Sequence, residues 1–258
     1  EDYPSLDGAP MPISFEIPSE ELKTLIERTR FAISTEETRY YLNGIYLHAM
    51  GEGASAVLRA VATDGHRLAR FETSLPTGAT EMPGIIVPRK TVGELAKLLD
   101  GGDENVRVSM SDSRIEFRFS DVTLSSKLID GTFPDYERVI PTQNDKPMTV
   151  DKASFAQAVD RVSTIASAES RAVKLSATSG RLALCANSPD RGQASEDIDV
   201  DYGATDIEIG FNARYLLDIA TQLSGETAEF VFADAGSPTL VKDRDNAAVL
   251  YVLMPMRV

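Results

Sequence analysis

The chain has 258 residues, 40 of them acidic and 26 basic, for a formal net charge of −14. Its length suits about two domains, and 42% hydrophobic with 26% charged residues excludes disorder across the chain. The acidic balance excludes a protein that coats nucleic acid by bulk charge, and the single Cys185 excludes a disulfide framework or a cysteine-based zinc cluster.

In chain order, a short strand ending near Ile17 leads into a helix whose stripe is Leu22, Leu25 and Ile26, with Ser19 as the expected N-cap. Strands are expected over Tyr40–His48, Ala56–Thr63 and Arg67–Thr73, with Asp64-Gly65 at a tight reversal. A second strand and helix follow, the helix marked by Val92, Leu95 and Leu99 and closed by a turn at Asp100–Asp103. Strands Val106–Met110, Arg114–Phe119 and Val122–Leu128 come next, reversing at Asp121. The later helices carry Phe155, Ala158, Val159 and Val162 behind Asp151, then Leu216, Ile219, Ala220 and Leu223 behind Asn212. Cys185 falls in the apolar run Leu182–Ala186 and is expected to be a buried, inert thiol. The longest apolar run, Ala247–Met256, has ten residues, about half of a membrane span. No secretory signal pattern opens the chain; the single cysteine fits a reducing, cytoplasmic location. The first residue is Glu1, as in a fragment or a processed product.

The order repeats. At an offset of 133, Ile17 meets Val150, Leu22 meets Phe155, Ile26 meets Val159, Arg28 meets Arg161 and Ser34 meets Ser167; at 122, Val106–Met110 meets Ala228–Phe232. Each copy is itself doubled, Glu16–Thr29 matching Ile86–Leu99 at an offset of 70 and Thr149–Val162 matching Gly210–Leu223 at 61. The expected fold is therefore α+β. It comprises tandem domains, each a doubled strand–helix–three-strand unit with helices on one face of antiparallel sheets.

Chemistry is sparse. His48 reads as a surface strand residue and His66, in the run Thr63-Asp64-Gly65-His66-Arg67-Leu68, as a polar hairpin tip. No nucleophile elbow, zinc-binding helix or phosphate-cradling glycine loop accompanies them. The expectation is a protein that is not an enzyme, with no catalytic residue, metal or cofactor. A hydrolase built on Asp64 and His66 is the weaker reading.

Several runs then converge: Arg39-Tyr40-Tyr41-Leu42-Asn43-Gly44, Thr63–Leu68, Val87-Pro88-Arg89-Lys90, Ser126–Tyr136 and Tyr251–Arg257. Together, in this order, they closely resemble the bacterial replicative sliding clamp, the β subunit of DNA polymerase III. The resemblance runs from Tyr3 to the last residue and covers the second and third of the family's three domains. It implies the tail of a missing first domain over residues 1–11 and clamp domains over 12–136 and 137–258. Tyr3-Pro4-Ser5-Leu6 resembles Phe133-Pro134-Asp135-Tyr136, which closes the first copy.

The resemblance implies a processivity factor that encircles duplex DNA irrespective of sequence, as a homodimeric ring when the full chain is present. DNA-facing side chains are then Lys23, Arg28, Arg39, Tyr40, Tyr41, Arg89, Lys90, Lys97, Arg161 and Arg214. The charge pattern agrees: segments Ser19–Arg30 and Asn212–Leu223 are neutral, Lys152–Ser163 carries +1 and Pro88–Leu99 carries +2. The shell outside these helices must carry the acidic excess and steer DNA to the helices. The resemblance also implies a pocket between the two domains for a short motif with a Gln and a Leu-x-Phe-like end. Such motifs occur in the polymerase III α subunit, clamp-loader subunits, other polymerases and repair proteins. Its residues are Leu42, Thr63, Gly65, His66, Arg67, Leu68, Pro134, Arg138, Val139, Asn212, Tyr215, Val252, Met254, Pro255 and Met256. Pro134 and Pro141 stiffen the joining segment, and the methionines offer an adaptable apolar surface. Ala235-Gly236-Ser237-Pro238 departs from the family in a loop that helps to wall this pocket. The location implied is cytoplasmic and nucleoid-associated. A DNA-free peptide-docking adaptor is the alternative.

Overall fold

A computed structural model describes residues 10–100, 104–119, 121–166 and 171–257. Tyr3–Leu6, Gly101–Asp103 and Ser167 lie outside the described residues. The chain divides into two units, one of residues 1–64 and 70–133, the other of Gly65–Ala69 and 134–258.

The first unit runs β1 (Ile13–Pro18), α1 (Ser19–Glu27), β2 (Gly44–Met50), β3 (Val57–Thr63), β4 (Arg67–Ser74, shared at its start with the second unit), β5 (Ile85–Pro88), α2 (Arg89–Leu98), β6 (Asn105–Met110), β7 (Arg114–Phe119) and β8 (Val122–Lys127). The second runs β9 (Lys146–Asp151), α3 (Lys152–Ser163), β10 (Ala172–Thr178), β11 (Arg181–Ser188), β12 (Gly192–Asp199), β13 (Asp201–Tyr202), β14 (Ile207–Asn212), α4 (Ala213–Gln222), β15 (Thr227–Phe232), β16 (Thr239–Asp243) and β17 (Asn246–Leu253). Strand order in the first unit is β1-β6-β7-β8 and β5-β2-β3-β4. In the second it is β9-β15-β16-β17, with β13 on the far side of β9, and β14-β10-β11-β12. The described pairings are antiparallel. The doubling expected from the repeats is present in both units, and it is an exchange. The first strand of each half joins the three-stranded meander of the other half.

Each exchanged strand passes into its helix with no linker, and the joint is built the same way four times. The first helical N–H donates to the carbonyl just ahead of the partner strand: Ser19 to Glu104 (3.1 Å), Arg89 to Asn43 (2.9 Å), Lys152 to Glu226 (2.8 Å) and Ala213 to Arg171 (2.9 Å). A helix start leaves its first N–H groups without intrahelical partners, and here the sheet supplies one acceptor. Arg171 sits at one of these joints with φ +46°, a left-handed conformation uncommon for a side-chain-bearing residue.

The helical stripes point as their spacing requires. Leu22, Leu25, Ile26, Val92, Leu95 and Leu99 are buried in the first unit with Ile17, Leu58 and Phe117. Phe155, Val159, Val162, Leu216 and Ile219 are buried in the second with Phe211, Phe232 and Tyr251. α1 packs on α2 and α3 on α4.

Four expectations are corrected. Ser19 is not the N-cap: Pro18 holds that position, and Ser19 is the first helical residue, buried, with no partner for its hydroxyl. The linkerless joint moves the cap back by one. Asp151 and Asn212 do cap, accepting from the N–H of Ser154 and Arg214 respectively. Tyr40–His48 is not one strand. Glu37–Leu42 forms 3₁₀ turns with a break at Arg39, and the strand starts at Gly44. A side chain at Gly44 would meet the Val87 carbonyl, so only glycine lets β5 approach there. Cys185 is half-exposed, because Leu182, Leu184 and Ala186 take the inward face of β11 and period 2 turns Cys185 outward. The amide of Gln193 donates to its sulfur at 3.3 Å. His48 is half-buried rather than a surface residue, its ring 4.7 Å from Tyr46, which stacks on Phe133 at 4.9 Å.

Proline at the first helical position is usually tolerated, because that N–H has no helical partner. Here it is used. Arg89→Pro is expected to destabilise α2 by about 1–3 kcal/mol relative to Arg89→Ala, read by amide hydrogen exchange in α2; equal protection would refute the joint. The Asp151 carboxyl lies below its ordinary range because the Ser154 side chain and backbone donate to it. A carboxyl lowered on folding stabilises above its unfolded pKa and loses that stabilisation as pH falls through its folded value. Asp151→Ala should therefore cost about 1 kcal/mol at neutral pH, with the gap to the parent closing on acidification below the carboxylate range, as followed by urea unfolding.

Candidate functional site

The site grows from the end of β17. Tyr251, Val252 and Leu253 are buried, and then the inward pattern stops: Met254 is 38% exposed and Pro255 and Met256 are half-buried. The segment is held at two points. The Met254 N–H donates to the His66 carbonyl (2.9 Å) and the Met256 N–H to the Gly210 carbonyl (2.8 Å). Pro255 between them has no N–H to place. Two backbone bonds thus fix a Met-Pro-Met shelf without burying it.

Beside it, Gly65 turns with φ +88° and presents His66 and Arg67 to α4. The Arg67 guanidinium lies 4.4 Å from the centre of the Tyr215 ring. Its Nη1 donates to Asp218 Oδ2 at 2.5 Å. The His66 ring is 6.3 Å from that of Tyr215, at 24° to it. Tyr215 and Asp218 are three residues apart on α4 and so share a face. Arg67 is only 7% exposed, and a buried guanidinium needs such a carboxylate to offset desolvation. The result combines flat, amphipathic rings, a fixed cation and exposed thioether. This can seat apolar side chains of an extended peptide and orient its polar groups. Asn212 is engaged as the cap of α4.

Other residues of the expected pocket play different parts. Leu68 and Val252 are buried. Gly65 and Pro134 are exposed, Val139 is 49% exposed, and the exposed Arg138 pairs with Asp135 at 2.7 Å. Leu42 and Thr63 belong to the first unit, Leu42 buried and Thr63 half-buried. The sequence analysis does not single out Asp218, which balances Arg214 within the neutral segment Asn212–Leu223. Its spacing from Tyr215 was the available signal. The loop at Ala235–Pro238 is fixed from within. Asp234 accepts from the N–H of Gly236 and of Ser237, both at 2.8 Å, and Asn144 donates to the Pro238 carbonyl at 2.9 Å. These donors, the Ser237 hydroxyl foremost, hold the Asp234 carboxyl below its ordinary range.

The side chains expected to face DNA differ in availability. Lys23 pairs with Asp100 (2.9 Å), Arg39 with Glu36 (2.7 Å), Lys97 with Glu94 (2.9 Å), Arg161 with Glu196 (2.5 Å) and Arg214 with Asp218 (3.9 Å). The Lys23 hydrogen bond holds the Asp100 carboxyl low, and the Arg161 bond does the same to Glu196. Arg28 is half-buried at the end of α1. Arg89 and Lys90 are exposed in the first turn of α2, which has no acidic residue. Cations there add to the positive end of the helix dipole, at a cost in helix stability. Tyr40 is 53% exposed and meets Tyr41 edge to face at 5.8 Å. Among the described residues no group of three or more His, Cys, Asp or Glu could hold a metal ion, and no helix is long and apolar enough to cross a membrane.

Exposure separates support from surface in the tail. Leu253→Ala should cost about 2–5 kcal/mol of stability, whereas Met254→Ala should change it by no more than about 0.5 kcal/mol; urea unfolding of both variants checks this, and similar losses would show that Met254 is core.

The comparisons with known proteins agree on one family. The model of the DNA polymerase III beta subunit central domain matches residues 16–135, and that of its C-terminal domain matches 137–257. The beta sliding clamp of Caulobacter vibrioides is 51% identical over 257 residues, spanning all of this chain and 69% of the relative. That of Escherichia coli is 39% identical over 258 residues, spanning 99% and 69%. Among solved structures, the DNA polymerase III subunit beta of Bartonella birtlesii bound to griselimycin superposes with a TM-score of 0.96 at 50% identity, covering 99% of this chain and 69% of that one. The sliding clamp of Caulobacter crescentus gives 0.94 at 51% identity, covering 100% and 69%.

Proposed function

The chain belongs to the DNA polymerase III beta subunit family, the beta sliding clamps, and from that premise we propose that its second unit is a docking site for short peptide motifs of replication and repair proteins. The family is one of non-catalytic DNA polymerase processivity factors. One observation supports the docking reading above the rest. The Met254–Met256 shelf is pinned at His66 and Gly210 yet left open beside Arg67 and Tyr215. Burying one Leu and one Phe of a motif there contributes about 1.5–3 kcal/mol each. After ordering costs this leaves roughly micromolar affinity, weak enough for partners to exchange. The polymerase III α subunit, clamp-loader subunits, other polymerases and repair proteins are the partners proposed.

Two clamp domains, 12–136 and 137–258, are the second and third of three in this reading, and residues 1–11 are the tail of the first. The full-length chain is a homodimeric ring that encircles duplex DNA in the cytoplasm, at the nucleoid. Arg89 and Lys90, exposed in an acid-free first turn, support phosphate contact that carries no sequence information. The pairing of Lys23, Arg39, Lys97 and Arg161 with acids favours the second reading, an adaptor that docks peptides without DNA.

Fluorescence anisotropy of a labelled peptide ending in Gln-Leu-x-Leu-Phe tests docking. Saturable micromolar binding, lost on Met254→Ala, is expected; no binding by the folded chain would refute it. For DNA, the salt dependence of duplex binding decides between the readings. Replacing both Arg89 and Lys90 with Ser should reduce the log–log slope by about 2, and an unchanged slope would favour the adaptor.

A further inference from the structure

We propose that Asp218 is a positioning residue of the peptide site, locking the Arg67 guanidinium against the Tyr215 ring so that ring and cation form one rigid wall. The inference rests on the docking reading above. Arg67 reaches Asp218 across 151 residues of chain, so no local turn holds the two together. The guanidinium is 7% exposed and its ring contact is 4.4 Å. A cation–π contact by itself is a weak restraint on a long side chain, whereas a charge-assisted bond at 2.5 Å fixes both distance and direction. The carboxylate is three residues from Tyr215 on the same helix. It therefore ties Arg67 to the very element that carries the ring. The His66 carbonyl, adjacent to Arg67, holds the Met254 N–H, so displacement of Arg67 is transmitted to the shelf through one peptide unit.

The same oxygen has a second cation. Arg214 Nε is 3.9 Å from Asp218 Oδ2, and the Arg214 side chain is 65% exposed against 7% for Arg67. The buried partner lacks the solvent that the exposed one keeps, so the carboxylate acts on Arg67 and Arg214 contributes little. Removing the charge takes away the bond that fixes the distance and direction of the Arg67 guanidinium from α4.

The test compares peptide affinities of the parent chain, Asp218→Asn, Tyr215→Leu and the double variant by the same anisotropy titration. Asp218→Asn is expected to weaken binding about tenfold. Asp218→Glu, which keeps the charge, should bind with an affinity between the two. In the Tyr215→Leu background the Asn substitution should cost little more, because the wall is already lost. A merely structural role would lower the melting temperature and leave the affinity of the folded chain unmoved. Parental affinity in folded Asp218→Asn, or a loss that adds in full to that of Tyr215→Leu, would overturn the proposal. If Asp218→Asn does not fold, parental affinity in folded Asp218→Ala overturns it. A parent chain that binds no peptide defeats the docking reading itself, a result distinct from all of these.

Discussion

One backbone hydrogen bond, made four times, organises both units. It joins the first N–H of a helix to the carbonyl ahead of the strand paired with that helix's own leading strand. The strand ladder therefore ends where the helix begins, and no loop lies between them. Helix position follows from strand register. Because the leading strand of each half belongs to the meander of the other half, neither half can complete its sheet alone. The helices then pack in pairs and bury the stripes that their sequences carry.

This joint also explains uneven capping. Asp151 and Asn212 supply side-chain acceptors, whereas Pro18 and Pro88 occupy the same position and supply none. The sheet carbonyl makes the difference tolerable. In α2 it goes further. With its first N–H held by Asn43, the helix can carry Arg89 and Lys90 in a turn where acidic residues are preferred. A stability cost at that position is the kind of local inconsistency that accompanies function.

The second unit shows how a surface is kept open without being loose. Buried Leu253 and Val252 anchor the strand, two N–H groups anchor the tail, and the proline between them contributes rigidity. Exposure of Met254 is thus imposed by backbone bonding, not by disorder. On the other wall, an ion pair to the half-exposed Asp218 and a ring contact hold the buried Arg67 where its chain neighbour His66 receives the tail. Order before binding reduces the entropy lost on association, which is what the proposed docking site requires.

Much of this was legible in the residues. The offsets of 133 and 61–70 revealed the doubled modules, and the stripes Leu22-Leu25-Ile26 and Phe155-Val159-Val162 located helices and their buried faces, because both rest on local periodicity. The runs Thr63–Leu68 and Tyr251–Arg257, singled out by the resemblance, contain His66, Arg67 and the Met254–Met256 segment of the candidate site. Other features depended on contacts between distant residues. Sequence could not show that each leading strand exchanges between halves, that Ser19 yields its cap to Pro18, or that Gly44 must admit the Val87 carbonyl. Nor could it tell that Asp218 lies 2.5 Å from Arg67, 151 residues away, and 3.9 Å from Arg214, four residues before it. Periodicity is written along the chain, but the choice of partner for a buried charge is made by desolvation. That choice exists only once tertiary packing has decided which side chain is cut off from water.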